Sequence, residues 1–227
     1  MMSRLTAALS LLLLALFAEA AFSSDAVMPL DRYNTDKARE LAKTYDEHLR
    51  GLSETIPRCY PWVSIPKDGL GFRQPKGVTS DDRYLAVWVW VEQYYTPEFA
   101  AIPREGRASA MFQRYGLDLL RRLASHPRLL ADAALRGFAV ILTWQKPVAS
   151  LPRGTQPLGE TLAVFVDRDN VVKLLQRQLS LAEFVKSAVV SAFEGKQELG
   201  PMPLTLREEA QLLDLVSPSP PATAPKC

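Results

Sequence analysis

Arg83-Tyr84-Leu85-Ala86-Val87-Trp88-Val89-Trp90-Val91-Glu92-Gln93-Tyr94-Tyr95 is the segment on which the fold turns. Val87, Val89 and Val91 alternate with Trp88 and Trp90, and β-branched and aromatic residues suit a pleated surface. Apolar side chains on both phases predict a central strand covered on both sides. Just downstream, 105–124 has the period of an amphipathic helix, with Ala108, Phe112, Tyr115, Leu119 and Leu123 on one face. His126-Pro127 ends it, a short second helix runs to about Ala134, and Gly137 separates that helix from a strand at 138–144. A loop at 147–159, rich in proline and glycine, leads to a further strand at 160–166.

Beyond this, Asp169 is placed to cap a helix carrying Val171, Leu174 and Leu175. Ser180-Leu181-Ala182-Glu183 is a capping box, and 189–193 reads as a fourth strand stopped by Gly195. Thr205-Leu206-Arg207-Glu208 is a second capping box, opening a last helix with Leu212, Leu213 and Val216. Upstream, Asn34 is placed to cap a helix near 35–52, on which Leu41, Tyr45, Leu49 and Leu52 recur at helical spacing. Pro57, Pro61 and Pro66 then extend the chain, with a short strand at 71–74. Neighbouring strands without a helix between them argue against strict α/β alternation. The expectation is an α+β domain over 34–216, with four or five strands in a mostly antiparallel or mixed sheet packed against helices.

The N-terminus reads as an address. Arg4 supplies a positive charge, an apolar run of 13 residues follows at 5–17, and Ala18-Glu19-Ala20 is a small-x-small cleavage site. A membrane span needs about 20 apolar residues, so a signal peptide cleaved after Ala20 is expected rather than an anchor, with a second site after Ser23. Later apolar runs are of strand length, and no transmembrane segment is expected in the mature chain. Arg outnumbers Lys 18 to 9, Ile occurs four times, and the only asparagines, Asn34 and Asn170, form no glycosylation sequon. This composition points to a bacterial periplasm or the extracellular space. Residues 21–33 read as a flexible leader. The tail, 217–227, has four prolines and no large apolar residue, and reads as disordered.

Composition excludes several functions. The net charge is +2 and gives no basic field for nucleic acid. Two cysteines, Cys59 and Cys227, are too few for a disulfide-stapled mini-domain. His48 and His126 stand 78 residues apart, with no zinc spacing around either, so no metal and no cofactor is expected. Asp167-Arg168-Asp169-Asn170 lacks the glycine and distal glutamate of a calcium loop and reads as a turn. No Gly-x-Ser-x-Gly elbow occurs. His48 reads as a packing residue at the edge of the core, and His126 as a helix punctuator.

Two features remain. Arg104, Arg107, Arg114, Arg121 and Arg122 fall within about 100° on the 105–124 helix, opposite Phe112 and Leu119, with Asp118 placed to pair with Arg114 and Arg122. Such a face is either solvated surface or a contact for an anionic partner. Tyr94 and Tyr95 close the strand before Pro97, where aromatic rings become accessible. Arg107, Arg114, Arg121, Tyr94 and Tyr95 are therefore the candidate binding residues. The functional expectation is an exported, non-enzymatic binding or accessory protein of the cell envelope, taking an anionic envelope component or a protein partner. The alternative is an exported hydrolase-like enzyme using His126, Cys59 or carboxylates.

Overall fold

In the computed structural model, which describes residues 26–93, 95–148, 158–206 and 216, the valine–tryptophan segment forms β3 (Arg83–Val91), a strand with partners along both edges. Antiparallel partners on one side are β1 (Val63–Ser64) and β2 (Leu70–Arg73). On the other side β4 (Leu135–Gln145) runs parallel to it. Next come β5 (Gly159–Asp167), β6 (Val189–Glu194) and β7 (Gln197–Pro201), all antiparallel to their neighbours. The class is α+β with a mixed sheet, and its seven strands exceed the expected four or five. β1 is too short to show a period, and β7 carries Gly200 and Pro201, a composition confined to sheet edges.

A parallel pair needs a long crossover. Between β3 and β4 it comprises α3 (Pro97–Ala101), α4 (Arg104–Met111), a π-helical turn (Phe112–Gly116), α5 (Leu117–Leu123) and α6 (Pro127–Ala131). The expected helix at 35–52 is two helices, α1 (Asp36–Thr44) and α2 (Asp46–Cys59), broken at Tyr45. Its cap is Thr35, whose hydroxyl accepts from the Ala38 amide, rather than Asn34. After β5 come α7 (Arg168–Leu175) and α8 (Leu181–Lys186). The cap of α7 is Asp167, with Asp169 inside the first turn. The α8 capping box forms as read, between Ser180 and Glu183.

Among the described residues, α1 to α8 all contribute to one apolar cluster on a single face of the sheet. Leu85, Val87, Val89, Phe138, Val140, Leu142, Leu162 and Val164 meet Leu49, Ile56, Phe112, Leu119 and Leu123 there. Each fully buried side chain of this kind contributes roughly 1.5–3 kcal/mol. The opposite face holds only a small cluster of Tyr84, Ala86, Ala139, Ala163 and Phe165, and Trp88 on it is 36% exposed. β3 is thus central, as expected, but no helix among the described residues covers its tryptophan face. Alternation reveals two apolar faces without revealing which one receives the helices.

The leader is not loose over 26–33. Leu70 donates its amide to the Ala26 carbonyl at 2.9 Å and accepts from the Met28 amide at 2.8 Å. Tyr33 is buried, and its hydroxyl accepts from the Phe72 amide at 3.2 Å. Gly71 leaves room for that hydroxyl and for Met28, whose Cβ would stand 3.0 Å from any added Cβ. The outer edge of β2 needs hydrogen-bond partners, and the leader supplies them. The signal segment, the loop at 149–157, the helix expected at 207–215 and the tail lie outside the described residues. Val216 is described and buried, and its carbonyl accepts from the Tyr115 hydroxyl.

Candidate functional site

On the face of the sheet that no described helix covers, several central side chains are small. Gly71 stands beside Ala86, Ala86 beside Ala139, and Ala163 beside Ile141 in the strand register. Large rings rise around these positions. Tyr84 and Phe165 meet edge to face at 5.3 Å, Trp88 donates its indole N–H to Thr143 at 2.9 Å, and Phe193 stands on β6. The result is a trough of about 600 Å³, within the range of small-molecule pockets. Ile141, Ala163, Phe165 and Phe193 form its floor, and the leader (Met28, Arg32, Tyr33, Asn34) and the β2–β3 loop (Gln74 to Val78) form its wall.

The wall is cationic. Arg32, Arg73, Lys76 and Arg83 line the trough, with no Asp or Glu among the described residues of its lining, and Arg32 faces the Asp68 carboxylate at 3.6 Å. Arg83 is buried and occupied by Asp81, Asn34 and Thr35. Arg73 is different. One of its terminal nitrogens donates to the Asp68 carbonyl, while its buried Nε has no hydrogen-bond partner. Burial pulls its guanidinium below the ordinary arginine pKa, yet arginine remains a cation at neutral pH. The Asp68 carboxylate also acts on this guanidinium.

The β2–β3 loop reaches across the sheet, where Lys76 pairs with Glu198 of β7. The two side chains are 72% and 36% exposed, so the pair is worth about 0–1 kcal/mol. Gly77, with φ of 80°, provides the turn in this strap.

The arginine face expected on the 105–124 helix does not exist as one surface. The π-helical turn inserts an extra residue between α4 and α5, which rotates the two halves by about 100° relative to a continuous α-helix. Arg107 consequently points into the molecule. Its Nε donates to Glu160 at 2.9 Å, a second nitrogen also binds Glu160, and Trp144 donates to the same carboxylate at 2.9 Å. The Arg107 guanidinium also lies 5.9 Å from the centre of the Phe99 ring. Beside it Arg104 pairs with Glu194, which also accepts from Lys146 at 2.6 Å.

Arg114 and Arg121 are exposed on the helix layer. Arg122 binds the Tyr60 hydroxyl at 2.8 Å and faces Asp118 at 3.7 Å. Tyr95 is exposed, and Tyr94 lies outside the described residues.

The two histidines meet despite their separation in sequence. His48 of α2 and His126, the residue capping α6, have ring centres 4.9 Å apart. They line a cavity of about 530 Å³ with Thr44, Tyr45, Glu47, Ser125 and Arg128. Tyr45 stands edge-on to His126 at 5.8 Å and donates its hydroxyl to Asp132 at 2.8 Å. Burial, and then the nearby His126, hold the His48 pKa below the usual histidine value. Cys59 is disulfide-bonded, and the chain's other cysteine is Cys227. A cysteine in a disulfide is no nucleophile, which removes the Cys59–His126 arrangement from the enzymatic alternative. None of Arg107, Arg114, Arg121 and Tyr95 lines the trough or the histidine cavity.

No protein-family model matches this chain, and no curated protein and no solved structure matches it either. The trough residues escaped the sequence reading. Of the alanines Ala86, Ala139 and Ala163 on the outward phase of three strands, Ala163 lines the trough.

Proposed function

We propose that this is an exported, non-enzymatic binding protein of the cell envelope, and that its ligand is an amphipathic anion held in the trough. The observation that carries the reading is the pairing of an apolar floor with Arg73, whose buried Nε lacks a hydrogen-bond partner, in a wall whose other cations, Arg32, Lys76 and Arg83, are each paired with a carboxylate. An apolar chain loses its contact with water over Ile141, Phe165 and Phe193, while its anionic end meets Arg73. The weakly held strap admits the ligand and covers it.

Calorimetry with dodecanoate and with dodecyltrimethylammonium, both below their micellar concentrations, tests this. Dodecanoate should bind the mature chain one to one, and the matched cation should not. Arg73→Gln should weaken binding at least tenfold, as expected for losing a charged hydrogen bond of about 1.5–3 kcal/mol, and Ala163→Trp should block it. Absence of dodecanoate binding, or equal binding of both amphiphiles, rejects the reading. The export component requires a mature N-terminus at Ala21; an intact Met1 retained in the membrane fraction counts against it.

A further inference from the structure

We propose that the contact between His48 and His126 is an acid-sensitive latch, which fastens α2 to the corner between α5 and α6 while both rings are neutral and releases that corner when His48 takes up a proton. The chain has two histidines, and folding brings their ring centres to 4.9 Å. His48 lies in the first turn of α2, and His126 precedes Pro127, where α6 begins. His48 Nε2 and His126 Nδ1 are sealed from water and form no hydrogen bond. The Leu123 carbonyl, at the end of α5, accepts a hydrogen bond from the His48 ring. Because Nε2 is unpartnered, Nδ1 is that donor, and Nε2 is the atom that a proton would join.

A proton on Nε2 puts a cation where no water reaches it and no acceptor meets it. A group so placed stays neutral, or its surroundings open to hydrate the charge. Burial, and then the neighbouring His126, accordingly hold the His48 pKa below the ordinary histidine value of 6.5. The charged groups around the contact do not outweigh burial. Glu47 of α2 and Arg128 of α6 line the adjoining cavity with opposite signs. Asp132, beyond α6, accepts from the Tyr45 hydroxyl at 2.8 Å. Asp46 and Arg50 of α2 pair with each other, and Arg122 of α5 is taken by Tyr60 and Asp118.

The open corner takes up the proton at the ordinary histidine value, and the closed one resists it. The latch therefore holds fully above 6.5 and loosens progressively as pH falls below that value. Both rings border the cavity of about 530 Å³, which gives the corner space in which to move once the contact parts. This inference is independent of the trough.

Amide hydrogen exchange of the untagged mature chain, with its disulfide intact, tests this without a variant. The amides of Ser125 and Leu129, bonded to the Arg122 and His126 carbonyls, flank the latch. Their protection factors should fall roughly three- to tenfold from about pH 6.5 to about pH 5.5, tenfold per pH unit being the limit for one proton, while those of β3 and β4 hold. Ordinary carboxylates stay ionised over that interval. His48→Gln, with wild-type circular dichroism at neutral pH, should abolish the pH dependence at both amides. Constant protection at Ser125 and Leu129 overturns the proposal, as does an equal fall in β3 and β4 or a fall that survives in folded His48→Gln. Protection that rises on acidification also overturns it, since that is the signature of a proton shared between the two rings.

Discussion

Arg107 and Arg114 are both arginines of the same helical stretch, and their surroundings give them opposite roles. Arg107 is buried against Glu160, so removing the carboxylate strands a charge in the interior. Glu160→Ala should lower stability by about 3–5 kcal/mol, whereas Arg114→Glu on the exposed face should change it by no more than about 0.5 kcal/mol. Urea unfolding of the two variants separates these outcomes, and equal costs would show that Glu160 is not buried with its partner. Tyr84 offers a second residue-level test. Burial, followed by its hydrogen bond to Asp167, pushes its pKa from 10.0 up to about 12. The folded state therefore favours the neutral phenol. That contribution is complete below pH 10 and is lost as pH rises through about 12. Tyr84→Phe should show a shallower alkaline loss of melting temperature than the wild type over that interval.

The π-helical turn is the element that sets the phase of the crossover. It presses the Phe112 ring onto Gly116, where an added Cβ would lie 2.8 Å from Cε2 of the ring. Phe112 is fully buried and has no room to withdraw. Alanine is the better helix former by about 1 kcal/mol, while overpacking a core costs about 1–3 kcal/mol. Gly116→Ala should therefore be destabilising despite its helix propensity, and a rise in melting temperature would show that the turn relaxes to accept it. The strap over the trough behaves in the opposite way. Lys76→Ala removes an exposed pair worth about 0–1 kcal/mol. It should leave chemical denaturation nearly unchanged and accelerate dodecanoate dissociation in stopped-flow measurements.

For the whole molecule, the bonded state of Cys59 matters more than the composition of the tail suggests. A tail without a core predicts that Cys227 is dispensable, but Cys59 is disulfide-bonded and Cys227 is its one available partner within the chain. A Cys59–Cys227 cross-link would close a long loop and stabilise the fold by about 3–5 kcal/mol in the chain-entropy account. Reductant and Cys59→Ser should each lower the melting temperature by a similar amount, and no further loss should follow when they are combined. Melting that ignores reductant would restore the reading of a dispensable Cys227.

Much of the fold was legible in the residues. The Val87–Val91 alternation specified a central strand, Ser180 and Glu183 specified the start of α8, and Leu119 and Leu123 specified an inward helix face. Those features depend on local period and capping, which the chain carries within a few residues of each site. Tertiary structure decided the rest. It placed the described helices on one side of the sheet and left Trp88 36% exposed on the other. It also turned Arg107 inward through one extra residue of helical turn, and it brought His48 against His126 across 78 residues. Side chains distant in sequence acquire a common environment only when the sheet order and the crossover are set. No spacing rule along the chain encodes the charge, burial or partner that such an environment gives them.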